Sequence, residues 1–251
     1  MKIIASYSIK GGVGKTATSV NLAYAAAKAG NETLLIDLDP QGASSFYFRI
    51  GHSKKEKSGY FFGKKNRLLK HIKGSNYKNL DILPANLSFR NFDIMLSNMS
   101  KSKRRLKEML ALLRDEYDLI ILDCPPSINL LAENVFYAAD MILVPVIPTT
   151  LSELTFEQLL TFFDKNGYKK KKIRPFFSMA QSKNKLHHET IRDLDKRYSV
   201  FMKSIIGFSA EIERMGLHRE PVLAYSTKKG AAQSYRTLFN EIVKTLSSKK
   251  F

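Results

Sequence analysis

The sequence predicts an α/β fold, a mostly parallel twisted sheet with helices on both faces, and three observations carry that expectation. Short runs such as IIASYSI, TLLIDLD, YDLIILD and MILVPVI recur along the chain and are apolar at successive positions, as in strands covered on both sides. Longer segments with apolar residues three and four positions apart lie between them, so strands alternate with helices, the order that builds a parallel sheet. Near the start, a strand, a glycine-rich loop, a helix and a second strand follow one another within about thirty residues, the length of one βαβ unit.

Taken in order, Ile3 to Ile9 predicts the first strand, and TATSVNLAYAAAKAG predicts an alanine-rich helix closed by Gly30, since glycine takes the left-handed backbone of a helix end at low cost. Thr33 to Asp39 is the second strand. Residues 51 to 79 mix lysine, glycine, serine and aromatic residues with weak periodicity, which predicts loops and a short helix. Leu80 to Ala85 is a strand, and Ser102 to Tyr117 a helix with Leu106, Met109, Leu110 and Leu113 on one face. Tyr117 to Ser127 is a buried strand stopped by Pro125 and Pro126, and Asp140 to Pro148 repeats that pattern. TLSELTFEQLLTFFDKNG is a helix, Ile173 to Ala180 a strand, and the basic stretch to Tyr198 largely helical. A last helix runs from about Gly230 to Leu246, its apolar residues expected to pack on the domain. No linker, repeat or low-complexity segment divides the chain, so residues 1–251 are expected to form a single domain.

Composition narrows the class. Apolar residues make up 44% and charged residues 25%, ordinary for a globular protein, and no segment has the apolar length of a membrane span. Met1 and Lys2 lead straight into a strand-like run without the features of a secretory leader, so a cytoplasmic location is expected. Cys124 is the single cysteine, which excludes an intrachain disulfide and any thiolate-built metal or iron–sulfur site within one chain. The net charge of +18 is unevenly spread: +2 over residues 1–50, +11 over 51–110, −7 over 111–160 and +12 over 161–251. Two basic regions flanking an acidic middle point to a polyanionic partner, against the plainer reading of a well-solvated surface.

The glycine stretch carries the chemistry. In KGGVGKT, Gly11, Gly12 and Gly14 let backbone N–H groups turn inward, and the helix that follows adds the positive end of its dipole, an arrangement suited to phosphate oxygens. Lys15 can neutralise β- and γ-phosphates, and Thr16 can offer its hydroxyl to Mg²⁺. The sheet is therefore of the P-loop NTPase type. The usual phosphate-loop pattern requires glycine at position 9, where this chain has Ile9, and it adds a second lysine, Lys10.

Asp37 and Asp39 close their strand two residues apart, which predicts one face for both, and Asp123 ends the apolar run LIIL in the same way. Open α/β sheets bind ligands at these strand ends, where one acid can hold Mg²⁺ and another can orient an attacking water. Cys124 has no histidine or second cysteine near it in sequence and reads as a small buried residue.

The segments KGGVGKT, LIDLDPQGAS, YDLIILDCPPS and PVLAYSTKKGAAQSYRTLFNEI together resemble the ParA family of deviant Walker-type ATPases, relatives of MinD that position plasmids, chromosomes or other cargo. The resemblance runs along nearly the whole chain and implies ATP with Mg²⁺ as cofactors. It implies that Lys10 crosses to the nucleotide of the partner in an ATP-bound homodimer, while Gly11, Gly12, Val13, Gly14, Lys15, Thr16 and Ala17 line the phosphates. Lys15 would be the loop lysine, Thr16 the magnesium ligand, Asp39 the residue that places the water and Asp123 the Walker B acid. It also implies slow hydrolysis, a ParB-like or other cargo adaptor, and non-specific double-stranded DNA as partner, hence a nucleoid-associated location.

For DNA the basic C-terminal third is the expected surface, with Arg174, Lys185, Arg192, Lys196, Arg197 and Arg219 as candidates among a wider set that includes Lys228 and Lys229. Two stretches depart from the family pattern, SMAQS after the Ile173 strand and IIGFSAEIE further on. No helix-turn-helix extension is expected before Met1, which resembles the small members of the family. A MinD-like membrane-cycling regulator would need an amphipathic helix beyond the fold, and the chain ends soon after its last helix. A DNA-binding module with little ATPase activity is the competitor of another class.

Overall fold

The computed structural model describes residues 1–51, 58–226 and 230–247. Eight strands form one sheet: β1 (Lys2–Ser6), β2 (Thr33–Asp37), β3 (Lys73–Gly74), β4 (Leu80–Leu83), β5 (Leu119–Asp123), β6 (Met141–Val146), β7 (Ile173–Ala180) and β8 (Ile205–Gly207). Their order across the sheet is β3-β4-β2-β5-β1-β6-β7-β8, and every pairing is parallel except that of β3 with β4 at one edge. The expected fold class holds.

The helices are α1 (Lys15–Lys28), α2 (Ala43–Tyr47), α3 (Lys65–Leu69), α4 (Phe92–Ser97), α5 (Arg105–Ala111), α6 (Leu130–Ala138), α7 (Thr150–Lys165), α8 (Lys185–Arg197), α9 (Ala210–Glu213), α10 (Met215–His218), α11 (Val222–Tyr225) and α12 (Ala231–Ser247). The central strands β2, β5 and β6 are buried at every position, with successive residues facing opposite sides of the sheet. Leu34 and Ile36 of β2 join one apolar cluster with α5, α6 and α7, while Leu35 joins the other with α1 and α12. Each face of the sheet thus has its own core, which is why these strands are apolar at successive positions. The expected packing of the last helix is found: Tyr235, Leu238, Phe239 and Ile242 of α12 are buried in the second cluster.

The elements differ from the sequence reading in extent and in number. Strand β2 ends at Asp37, so Asp39 lies in a turn closed by Gly42 N–H donating to its carbonyl at 2.9 Å, and strand alternation does not set the relative direction of the two acids. The helix expected over residues 102–117 is regular only in α5, its remainder being turns. Helix α6 and the short edge strand β8 had no counterpart in the sequence reading.

Candidate functional site

Parallel pairing brings the carboxyl ends of β1, β2 and β5 together, with Ser6 and Asp37 each in register with Asp123. The loop that leaves β1 folds over these ends and opens α1. Gly14 is the residue before α1, at φ 93°, and Gly12 is at φ 70°, both in the left-handed region that favours glycine. A Cβ at Gly14 would sit 3.0 Å from Ser178 Oγ, so close approach of β7 adds to the backbone requirement.

Two lysines bracket the loop and face different ways. The Lys15 ammonium donates to the Lys10 carbonyl oxygen at 3.0 Å, and burial lowers its pKa while Asp123 pulls the other way. The Lys10 ammonium donates to Ser152 Oγ at 3.1 Å, on the first turn of α7. Val13 is buried, whereas Gly11 is exposed and Thr16 and Ala17 are half-buried.

The acids beneath the loop form a pair. Asp123 is fully buried and accepts from Ser44 Oγ at 2.6 Å and Ser19 Oγ at 3.2 Å, with the Thr16 hydroxyl also bonded to it. Burial raises its pKa to about 6, opposed by those hydroxyls and by Lys15. Asp37 Oδ2 accepts from the Ser45 backbone N–H at 2.9 Å and the Ser45 hydroxyl at 2.7 Å, while its Oδ1 is buried without a partner among the described residues. Burial, then the Asp123 charge, raises Asp37 to about 8. Two adjoining buried carboxylates with an orphaned oxygen, beside the Thr16 hydroxyl, form an all-oxygen donor set suited to a hard divalent cation. Asp39 is half-buried and accepts from Gln41 N–H at 3.0 Å.

Ser19, Ser44, Ser45 and Ser152 escaped the sequence reading, because a serine's role here depends on which strand end its helix faces. Cys124 is buried with its thiol pKa pushed up by burial, in line with the reading of a small buried residue.

The basic candidates do not share one face. Arg174 lies at the start of β7, half-buried, its guanidinium turned back onto the Lys171 and Ile173 carbonyls. Arg197 pairs with Glu153 at 2.6 Å and Glu157 at 2.9 Å on α7. Arg219 lies 4.5 Å over the Phe46 ring and donates to the Phe46 carbonyl at 3.1 Å. Lys185 approaches Glu189 only at 3.9 Å. Arg192 and Lys196, four residues apart on α8, are exposed and meet no acid among the described residues. Lys228 and Lys229 lie outside the described residues.

Comparison with known proteins agrees with this geometry. Residues 1–175 match the AAA domain family. The chain is 30% identical over 247 residues to the sporulation initiation inhibitor protein Soj of Bacillus subtilis, covering 96% of this chain and 98% of Soj. It is 28% identical to the chromosome partitioning protein ParA of Caulobacter vibrioides, covering 97% of this chain and 94% of the relative. In fold it is similar to the cobyrinic acid a,c-diamide synthase of Mycobacterium smegmatis crystallised with ADP and magnesium, at a TM-score of 0.80, 23% identity, and coverage of 98% and 96%. Phosphate loop, displaced lysine, strand-end acids and a match along almost the full chain converge: the protein belongs to the ParA/MinD family of deviant Walker-type ATPases.

Proposed function

We propose that the chain is a slow, Mg²⁺-dependent ATPase whose ATP-bound form is a homodimer on non-specific double-stranded DNA, and that a ParB-like or other cargo adaptor stimulates it. The observation that carries this reading is the pair of lysines: the Lys15 ammonium turns back onto the loop, while the Lys10 ammonium lies off it, on Ser152 of α7. A cation aimed out of its own loop suits the phosphates of a second copy, so that nucleotide becomes part of the dimer contact.

Within one protomer, the N–H groups of Gly11 to Ala17 and the start of α1 cradle the phosphates, and Lys15 neutralises their charge. Thr16 and Asp123 would hold the metal, with Asp37 behind them. Held there, Mg²⁺ would supply positive charge against that developing on the phosphate oxygens. Asp39, in the turn after β2, orients the attacking water. It is a single weakly basic group, so the expected turnover is slow. The relatives' role in partitioning supports a cytoplasmic, nucleoid-associated cycle with a plasmid, chromosome or protein assembly as cargo.

Phosphate release should require both ATP and Mg²⁺, and sedimentation should show a dimer with ATP and a monomer with ADP. A protein that binds DNA equally with ADP and releases no phosphate would be a DNA-binding module instead.

A further inference from the structure

Basic runs far apart in sequence, KSKRRLK (101–107) and KKKK (169–172), meet at the amino ends of the strands, the end of the sheet opposite the phosphate loop. Helices α6 and α7 both end there, just before β6 and β7 begin. Between them and the start of α5 is a cleft of about 570 Å³ with Arg104, Lys107, Lys169 and Lys172 in its walls.

These four cations have no carboxylate within salt-bridge distance among the described residues, although cations around them do. Glu108, the acid of the cleft, is taken by Arg105 at 2.8 Å and Lys101 at 4.0 Å. Glu133 is taken by Lys103 at 2.6 Å and Asp164 by Lys170 at 2.8 Å. The pairing leaves these four cations without a salt-bridge partner among the described residues, Asp140 acting on Lys172 from beyond that distance. Lys172 is held in the wall, half-buried, by donating to the Phe136 and Tyr137 carbonyls at 2.9 and 3.3 Å. Its pKa is lowered by burial first, opposed by Asp140, and lowered further by Lys107 and Lys169. Arg104 is fixed 5.6 Å over the Tyr137 ring. The cations are thus partly pre-ordered and repel one another, a cost that an anion between them would relieve.

We propose that this cleft is a second anion site, which takes a small molecule carrying two or more linked phosphates. A single phosphate brings at most about two negative charges and cannot offset four cations, whereas a phosphate chain can. The volume falls within the range of about 300–1,000 Å³ typical of small-ligand sites. The cations lie inside a concavity, where a convex duplex backbone reaches poorly. The linked phosphates can come from a nucleotide or from an inorganic chain.

The test is calorimetric titration of the full chain with inorganic triphosphate in metal-free buffer. Two binding events are expected, one lost in Lys15→Ala and the other weakened about tenfold or more in Lys107→Glu/Lys169→Glu, as two charge-assisted contacts require. Both lysines are exposed, and far-UV circular dichroism checks the fold. Lys107→Gln/Lys169→Gln should weaken the same event by less. ATP titrated into Lys15→Ala separates the sources: a cleft-dependent event identifies a nucleotide, its absence an inorganic chain. The proposal is overturned if Lys15→Ala shows no triphosphate event, or if the remaining event is indifferent to Lys107 and Lys169. It is equally overturned if the Glu variant loses affinity only for duplex DNA. None of these outcomes depends on whether the protein hydrolyses ATP.

Discussion

The Lys15 ammonium rests on the Lys10 carbonyl oxygen at 3.0 Å, so the two lysines of the loop are joined while the Lys10 ammonium is held separately by Ser152. Lys15 spends one donor on its own loop and is partly desolvated, which favours its release to a bound anion. Lys15→Ala should therefore weaken ATP binding about a hundredfold or more, the loss of roughly two charge-assisted bonds. Calorimetry measures it, and unchanged affinity would remove Lys15 from the site.

Lys10 has a distinct consequence. Its ammonium leaves Ser152 at small cost, since a single neutral acceptor holds it. In an Asp39→Ala background that keeps ATP bound, Lys10→Ala should bind ATP within a few-fold of its parent yet fail to dimerise. Sedimentation velocity decides this: a dimer as tight as the parent's would end the trans role.

Asp39→Ala alone should retain ATP and lose hydrolysis by about a hundredfold, the scale of a positioned acid–base group. Asp39 is half-buried in a turn with its carboxylate accepting from the Gln41 N–H, which predicts little change in thermal stability. Hydrolysis at the parental rate would move the water-placing role elsewhere.

How far this site could be read from the chain depended on distance along it. KGGVGKT specifies its own loop because glycines, lysine and threonine act within one turn of backbone. Asp123 was legible because it ends an apolar strand. Asp39 was assigned to β2 because TLLIDLD gives no sign that pairing stops at Asp37. The serines that satisfy Asp37 and Asp123 come from α1 and α2, and no local pattern marks a serine whose partner is 79 residues away. Helix α6 was missed because most of it is buried, so it lacks the polar face that reveals a helix. The basic C-terminal third was visible as charge, but its ion pairs with α7 and its stacking on Phe46 are tertiary.

Asp37 gives a pH signature. Burial and the Asp123 charge raise it from the ordinary 3.8 to about 8, so the folded state binds this proton more tightly than the unfolded chain. Asp123 is raised as well and the two titrate as a pair, so the stability their protons contribute is full below the ordinary carboxylate range and is lost as pH rises through the raised values. Without nucleotide or metal, the melting temperature should fall across that window, and Asp37→Asn should flatten the fall. Equal slopes in parent and variant would show that the Asp37 proton is not responsible.

DNA binding should rest on Arg192 and Lys196 more than on the other cations of the C-terminal third. They stand one turn apart on α8, exposed and without an acid, whereas Arg197 already serves Glu153 and Glu157 and Arg219 serves Phe46. A free cation can displace counterions from a phosphate; a paired one must first leave its carboxylate, which offsets the gain. Arg192→Glu/Lys196→Glu should weaken binding of the ATP-bound form to unrelated duplexes alike and flatten the log–log salt dependence by about 0.9 for each phosphate that is no longer neutralised. Basal ATP hydrolysis should be unaffected, as neither residue approaches the loop. Arg197→Glu is the informative contrast: it places a third acid against two others, so it should lower the melting temperature, while Arg192→Glu/Lys196→Glu should not. An unchanged salt slope in the double variant, or a preference for one sequence, would put the DNA surface on another part of the chain.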